Sequence, residues 1–195
     1  MLRTLLTTWL ALGAVATDLT DAINSGDEAE ILALLKDDAY VDQDAGGYRA
    51  LHLAANRGEV EILKMLLNHG ATLDATDAGG LTAISHAAFA GRSEAVAFLI
   101  SKNAMLNTAD MSGKTPLYYA CEQGNYAAAS ALLDAGARDD LRSSEGGPMK
   151  INADGSKNKE SDPSRTPLEI ARTKGHSDIV RLLEEHYANN YKDEV

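Results

Sequence analysis

Asp110-Met111-Ser112-Gly113-Lys114-Thr115-Pro116-Leu117 opens a stretch that reads as one complete structural unit and closes at Gly136-Ala137. Thr115-Pro116 is a helix start. Threonine offers a side-chain oxygen to the unpaired N–H groups of the first turn, and proline stands where its missing N–H costs nothing. Leu117, Ala120 and Cys121 then line one face at helical spacing. Gly124 ends the helix, because a left-handed terminal residue suits glycine. A second helix follows with Ala129, Leu132 and Leu133 inward, and Gly136 ends it in the same way.

The same marks recur at a fixed step. Asp44, Asp77 and Asp110 are evenly spaced, and the same interval carries Gly47 to Gly80 to Gly113. It carries Leu51 to Ile84 to Leu117, Gly58 to Gly91 to Gly124, and Leu66 to Leu99 to Leu132. Gly70, Asn103 and Gly136 share one position, and asparagine tolerates the left-handed region best after glycine. Helices of about ten residues are too short to persist alone in water, so each must bury its face against the next unit. Asp77-Ala78-Gly79-Gly80 suits a tight β-turn projecting between units.

A unit of this length and pattern resembles the ankyrin repeat. Residues 44–76 agree at Leu51-His52-Leu53-Ala54-Ala55, Gly58, Leu66-Leu67 and Gly70-Ala71, but carry Arg49-Ala50 where the family prefers Thr-Pro. Residues 77–109 keep Thr82, with Ala83 for Pro and Ser85 for His. Two weaker units flank these. Residues 18–43 lack the opening turn, as a first cap would, and residues 161–187 carry Thr166-Pro167-Leu168-Glu169, a capping box. The resemblance implies an all-α solenoid of stacked helix-turn-helix units with projecting β-turns over residues 17–187, followed by a polar tail at 188–195. Thr82 to Thr115 covers one regular interval, but Thr115 to Thr166 overshoots it by half as much again. The surplus forms an inserted loop near 143–160, rich in Ser, Gly, Asn and Lys.

The chain has 195 residues and a formal net charge of −11. An acidic surface repels phosphate backbones and anionic membranes, which disfavours nucleic acid and lipid as ligands. The charge points instead to a protein partner with a basic or neutral patch. Cys121 is the single cysteine, so an intrachain disulfide and a multi-cysteine zinc site are both excluded.

Residues 1–16, MLRTLLTTWLALGAVA, combine Arg3, an apolar run from Leu5 to Leu12 and the small-x-small pattern Ala14-Val15-Ala16. This is the layout of a secretory signal peptide, which would leave a mature chain starting at Thr17 in the periplasm or outside the cell. The alternative is an apolar helix packed on the first repeat of a cytoplasmic adaptor or regulatory subunit.

No catalytic constellation, cofactor motif or metal-ligand spacing is present. Ser85 and His86 are adjacent on a helix and diverge, which disfavours a nucleophile–base pair. The resemblance gives His52 a structural role, bonding neighbouring backbone. It also implies that partner contacts come from the turn tips and the inner helix surface. Those positions are Tyr48, Asn56, Arg57, Leu81, Phe89, Met111, Lys114, Glu122 and Gln123, the apolar ones being the natural anchors. The polar last helix suits a capped monomer.

Overall fold

A computed structural model describes residues 19–26, 28–35, 41–42, 49–143 and 165–190. The helices are α1 (19–25), α2 (Glu28–Leu34), α3 (Ala50–Arg57), α4 (Val60–Asn68), α5 (Ala83–Phe89), α6 (Ser93–Ser101), α7 (Pro116–Gln123), α8 (Tyr126–Asp134), α9 (Pro167–Lys174) and α10 (Ser177–Asn190). They form an all-α repeat solenoid. Helices α3, α5, α7 and α9 stack as an inner row, α4, α6, α8 and α10 stack behind them, and each unit pairs one inner helix with one outer helix.

The core is a continuous seam through the repeats. Leu51, Ile84 and Leu117 are buried in the inner row, and Leu66, Leu99 and Leu132 in the outer row, as their even spacing in the sequence requires. The helix starts use different means at one position. Thr115 accepts the Tyr118 N–H, while Thr166 and Glu169 close a reciprocal capping box at 2.9 and 3.2 Å. Helix α3 lacks Thr-Pro, and there His52 takes over, its Nδ1 accepting the Arg49 N–H at 3.2 Å. The opposite edge of that ring reaches the Ala75 carbonyl at 2.9 Å, so His52 bonds neighbouring backbone as its repeat position implied.

The helix ends depend on the following repeat. The last carbonyls of a short helix have no partner within it. Arg92 Nε donates to the Asn56 carbonyl at 3.0 Å, and the Asn125 amide to Ala88 and Phe89 at 2.8 and 3.1 Å. His176 Nε2 lies 3.2 Å from the Glu122 carbonyl. Each donor directly follows the terminal glycine of its own inner helix and reaches back to the helix before it. Asn103, at φ 64°, is the one non-glycine with positive φ among the described residues, at the end of α6 where glycine stands in the neighbouring units.

Two boundaries differ from the sequence reading. Ser143 belongs to the stem of the last hairpin, not to an inserted loop. Its N–H bonds the Arg165 carbonyl at 3.0 Å and its hydroxyl accepts the Arg165 N–H at 3.2 Å. The inserted residues therefore fall at 144–164, outside the described residues, as do residues 1–16. Helix α10 continues to Asn190, past the boundary at 188, because residues 188–190 follow on from its last packed turns with no glycine or proline to stop them.

Gly124 has φ +80°, and a Cβ there would meet the His176 ring at 2.7 Å, whereas a Cβ on Gly136, at φ +88°, meets nothing. Gly136→Ala should therefore cost about 1–2 kcal/mol, from the backbone alone. Gly124→Ala should cost roughly 1–3 kcal/mol more, because the His176 contact must also give way. Urea unfolding of the two variants measures the difference, and equal losses would remove the packing role from Gly124.

Candidate functional site

The projecting turns are held by one carboxylate each. Asp77 Oδ1 accepts the N–H groups of Gly79 and Leu81 at 2.8 and 2.9 Å, and its Oδ2 lies 2.8 Å from His86 Nε2 on α5. Asp110 repeats the arrangement, accepting from Ser112 and Lys114 at 2.8 Å each and from the Tyr119 hydroxyl on α7. Gly80 and Gly113 close the turns by bonding the Asp77 and Asp110 carbonyls at 3.0 and 2.9 Å. The Met111 N–H then bonds the Gly79 carbonyl of the preceding turn at 3.0 Å. Each tip is thereby fastened to its own inner helix and to its neighbour. Burial alone would raise the Asp77 carboxyl, but the hydrogen bonds from Leu81, His86 and Gly79 outweigh it and hold the group below its usual range.

This platform presents the candidate contact residues unequally. Met111 is 79% exposed at a tip, and Phe89 is 44% exposed at the end of α5. Phe89 stands edge-on to the buried Tyr119 ring, 5.7 Å between centroids. Leu81 is half-buried, Asn56 is half-buried, and Arg57 and Gln123 are exposed. Lys114 and Glu122 meet each other: Nζ and Oε1 are 3.2 Å apart, with side chains only 11% and 14% exposed. The Lys114 ammonium also lies 5.3 and 5.5 Å from the Tyr118 and Tyr119 ring centroids. Their charges are directed inward, so this pair braces the face more than it offers contacts. Tyr48 lies outside the described residues.

The sequence reading missed one concave place. A hollow of about 260 Å³ lies between the chain leaving α8 and helix α10, lined by Asp139, Arg142, Thr166, Leu168, Leu183 and Tyr187. Its walls come from two repeats separated by the insertion, and no single-repeat pattern brings them together.

No catalytic arrangement emerges among the described residues. Ser85 Oγ faces Thr82 Oγ1 at 3.0 Å while His86 faces Asp77, so serine and imidazole point apart. Burial pushes the Cys121 thiol up to about 12, which leaves it a small packed group and a poor nucleophile. Among the described residues no cluster of His, Cys, Asp and Glu could hold a metal ion, and no helix is long and apolar enough to cross a membrane.

Two family models match, ankyrin repeats (3 copies) over residues 72–143 and ankyrin repeats (many copies) over residues 38–87. Together they cover the three regular units. The chain belongs to the ankyrin-repeat family, a family of protein–protein interaction modules. No curated protein was found to match it.

The buried histidines predict a pH response. Burial lowers the pKa of both His52 and His86 from 6.5, and their rings, in adjacent repeats, lie tilted to each other with centroids 5.3 Å apart. The unfolded chain then binds more protons than the folded one below that value. Their contribution to stability is complete above 6.5 and is lost as pH falls through the lowered folded values. The urea midpoint should therefore fall between about pH 7.5 and about pH 5, and His52→Gln with His86→Gln should flatten that fall. An equal fall in the variant would assign it to other groups.

Proposed function

We propose that the chain binds one partner protein through its concave face, with Phe89 and Met111 as the apolar anchors, and that it does so after export. The observation supporting the first part is the pair of exposed apolar side chains on a hydrogen-bonded platform. An apolar group held on a stiff surface loses little conformational freedom when a partner covers it, so its burial is retained as affinity. Asn56, Arg57 and Gln123 supply a polar rim, and Leu81 extends the apolar strip along the tips. The second part is supported by the order Arg3, Leu5–Leu12 and Ala14-Val15-Ala16, with a mature chain beginning at Thr17. The role that fits both parts is a periplasmic or secreted binder or inhibitor of a single protein.

The test is an affinity capture of the C-terminally tagged full-length protein from its own cells, read by mass spectrometry. The wild type should retain a stoichiometric exported protein and yield an N-terminal peptide starting at Thr17. Phe89→Ala with Met111→Ala should reduce the partner by at least about tenfold while shifting urea stability by no more than about 1 kcal/mol. A retained Met1 with cytosolic partners would replace export with a cytoplasmic adaptor. Undiminished capture by the double variant would move the interface off this face.

A further inference from the structure

The chain carries a net charge of −11, yet little of it is on offer from the described residues of the concave face. The carboxylates on that face are already engaged. Asp77 and Asp110 hold the turns, Glu122 holds Lys114, and Glu169 caps α9 and takes Arg142 at 3.2 Å. Exposed carboxylates lie instead on the outer helices, at Glu61, Glu94, Asp134, Asp178 and Glu185.

Two basic side chains of the face have no such counterpart. Arg165 stands at the stem of the last hairpin, at the position Lys114 occupies one repeat earlier, where the lysine side chain reaches over the inner helix to Glu122. The residue that would answer Arg165 in the same way is Thr173, which carries no charge and whose hydroxyl instead donates to the Glu169 carbonyl at 2.8 Å. Lys174 ends α9 in the position of Gln123 and is exposed. Neither Arg165 nor Lys174 forms an ion pair among the described residues. Among the described residues, Phe89 and Met111 therefore sit in the middle of the face, and positive charge without an ion-pair partner sits at its C-terminal end.

We infer that the face takes an extended acidic segment of its partner, an apolar side chain seated against Phe89 and Met111 and carboxylates running toward Arg165 and Lys174. This rests on the concave face being the binding surface, as proposed above. The spacing is suitable: inner helices stack about 10 Å apart, so roughly six extended residues at about 3.3 Å each cross the two repeats from Phe89 to Lys174. The net charge of the whole chain pointed to a basic or neutral partner. Charges on the outer helices lie behind the stack, however, and are screened over about 8 Å at physiological ionic strength. A bound segment meets the local charges first.

The experiment is selection of a displayed random-peptide library on the full-length protein, followed by titration of the winning peptides in synthetic form. Sequences rich in Asp and Glu beside an aromatic or aliphatic residue are expected. Their affinity should fall at least about tenfold with Arg165→Glu and Lys174→Glu together, and should weaken as salt is raised. Lys174 is exposed and Arg165 half-buried, and circular dichroism with urea unfolding verifies that the variant is folded. Winners rich in Lys and Arg, winners indifferent to the charge reversal, or no winners at all would overturn the acidic segment. Loss of those same winners with Phe89→Ala and Met111→Ala would still leave the face as the binding surface. Winners untouched by either double variant would overturn the face as well.

Discussion

No inner helix of this protein can satisfy its own C-terminal end. Helices α3, α5, α7 and α9 have seven or eight residues, and about four carbonyls of any α-helix lack an intrahelical partner. For α3, α5 and α7 the shortfall is met from the next repeat, by Arg92, Asn125 and His176 reaching back to Asn56, Ala88, Phe89 and Glu122. The terminal glycines serve this contact twice over. Their positive φ turns the chain out of the helix, and at Gly58, Gly91 and Gly124 the absent side chain leaves room for the residue that reaches back. Folding one unit therefore prepares the surface on which the following unit docks, in addition to the apolar burial that any repeat array shares.

The same dependence prepares the face for a ligand. The ends of the inner helices, where Phe89 and Glu122 sit, are locked by a neighbour, and the turn tips are locked by Asp77 and Asp110 to His86 and Tyr119. Met111 bonds backward to Gly79, so even the exposed tips form a ladder. Side chains on such a surface keep their rotamer freedom but not their backbone freedom, which is the larger entropic cost per residue on ordering. The Lys114–Glu122 pair contributes in the same sense. It fills the space above Tyr118 and Tyr119 with a closed ion pair, and thereby holds the aromatic floor against which Phe89 stands.

The fold was legible in the sequence because its signals are local and repeated. The constant interval between like residues located α3 to α8, and local motifs marked the Thr-Pro and capping-box starts of α7 and α9 and the left-handed end at Asn103. What crosses repeats was less legible. Arg92, Asn125 and His176 share a position but not a chemistry, and only their common distance from a carbonyl reveals a common task. Lys114 and Glu122 read as two exposed contact residues, since eight residues of sequence separate them and only the return of the chain from turn to helix closes the gap. Asp77 and Asp110 were visible as marks of the period, while their second oxygen, committed to His86 and Tyr119, was not.

The site of the insertion follows from where length is cheapest. In the regular units the hairpin stem closes over four residues, Asp77 to Leu81 and Asp110 to Lys114, and in the last it closes over 22, Ser143 to Arg165, with the same carbonyl bond kept. Lengthening a closed loop by that ratio costs about 1.5 kcal/mol of chain entropy, because the penalty rises only with the logarithm of length. Extra residues between an inner helix and its outer partner would instead displace Gly124 or Gly175 from the donor beside it and open the carbonyls that donor serves. The stack tolerates the insertion because His176 still reaches Glu122 across 54 residues of sequence. The two ends of the hairpin are fixed by their own bonds, so its length is free to vary while α7 and α9 remain neighbours.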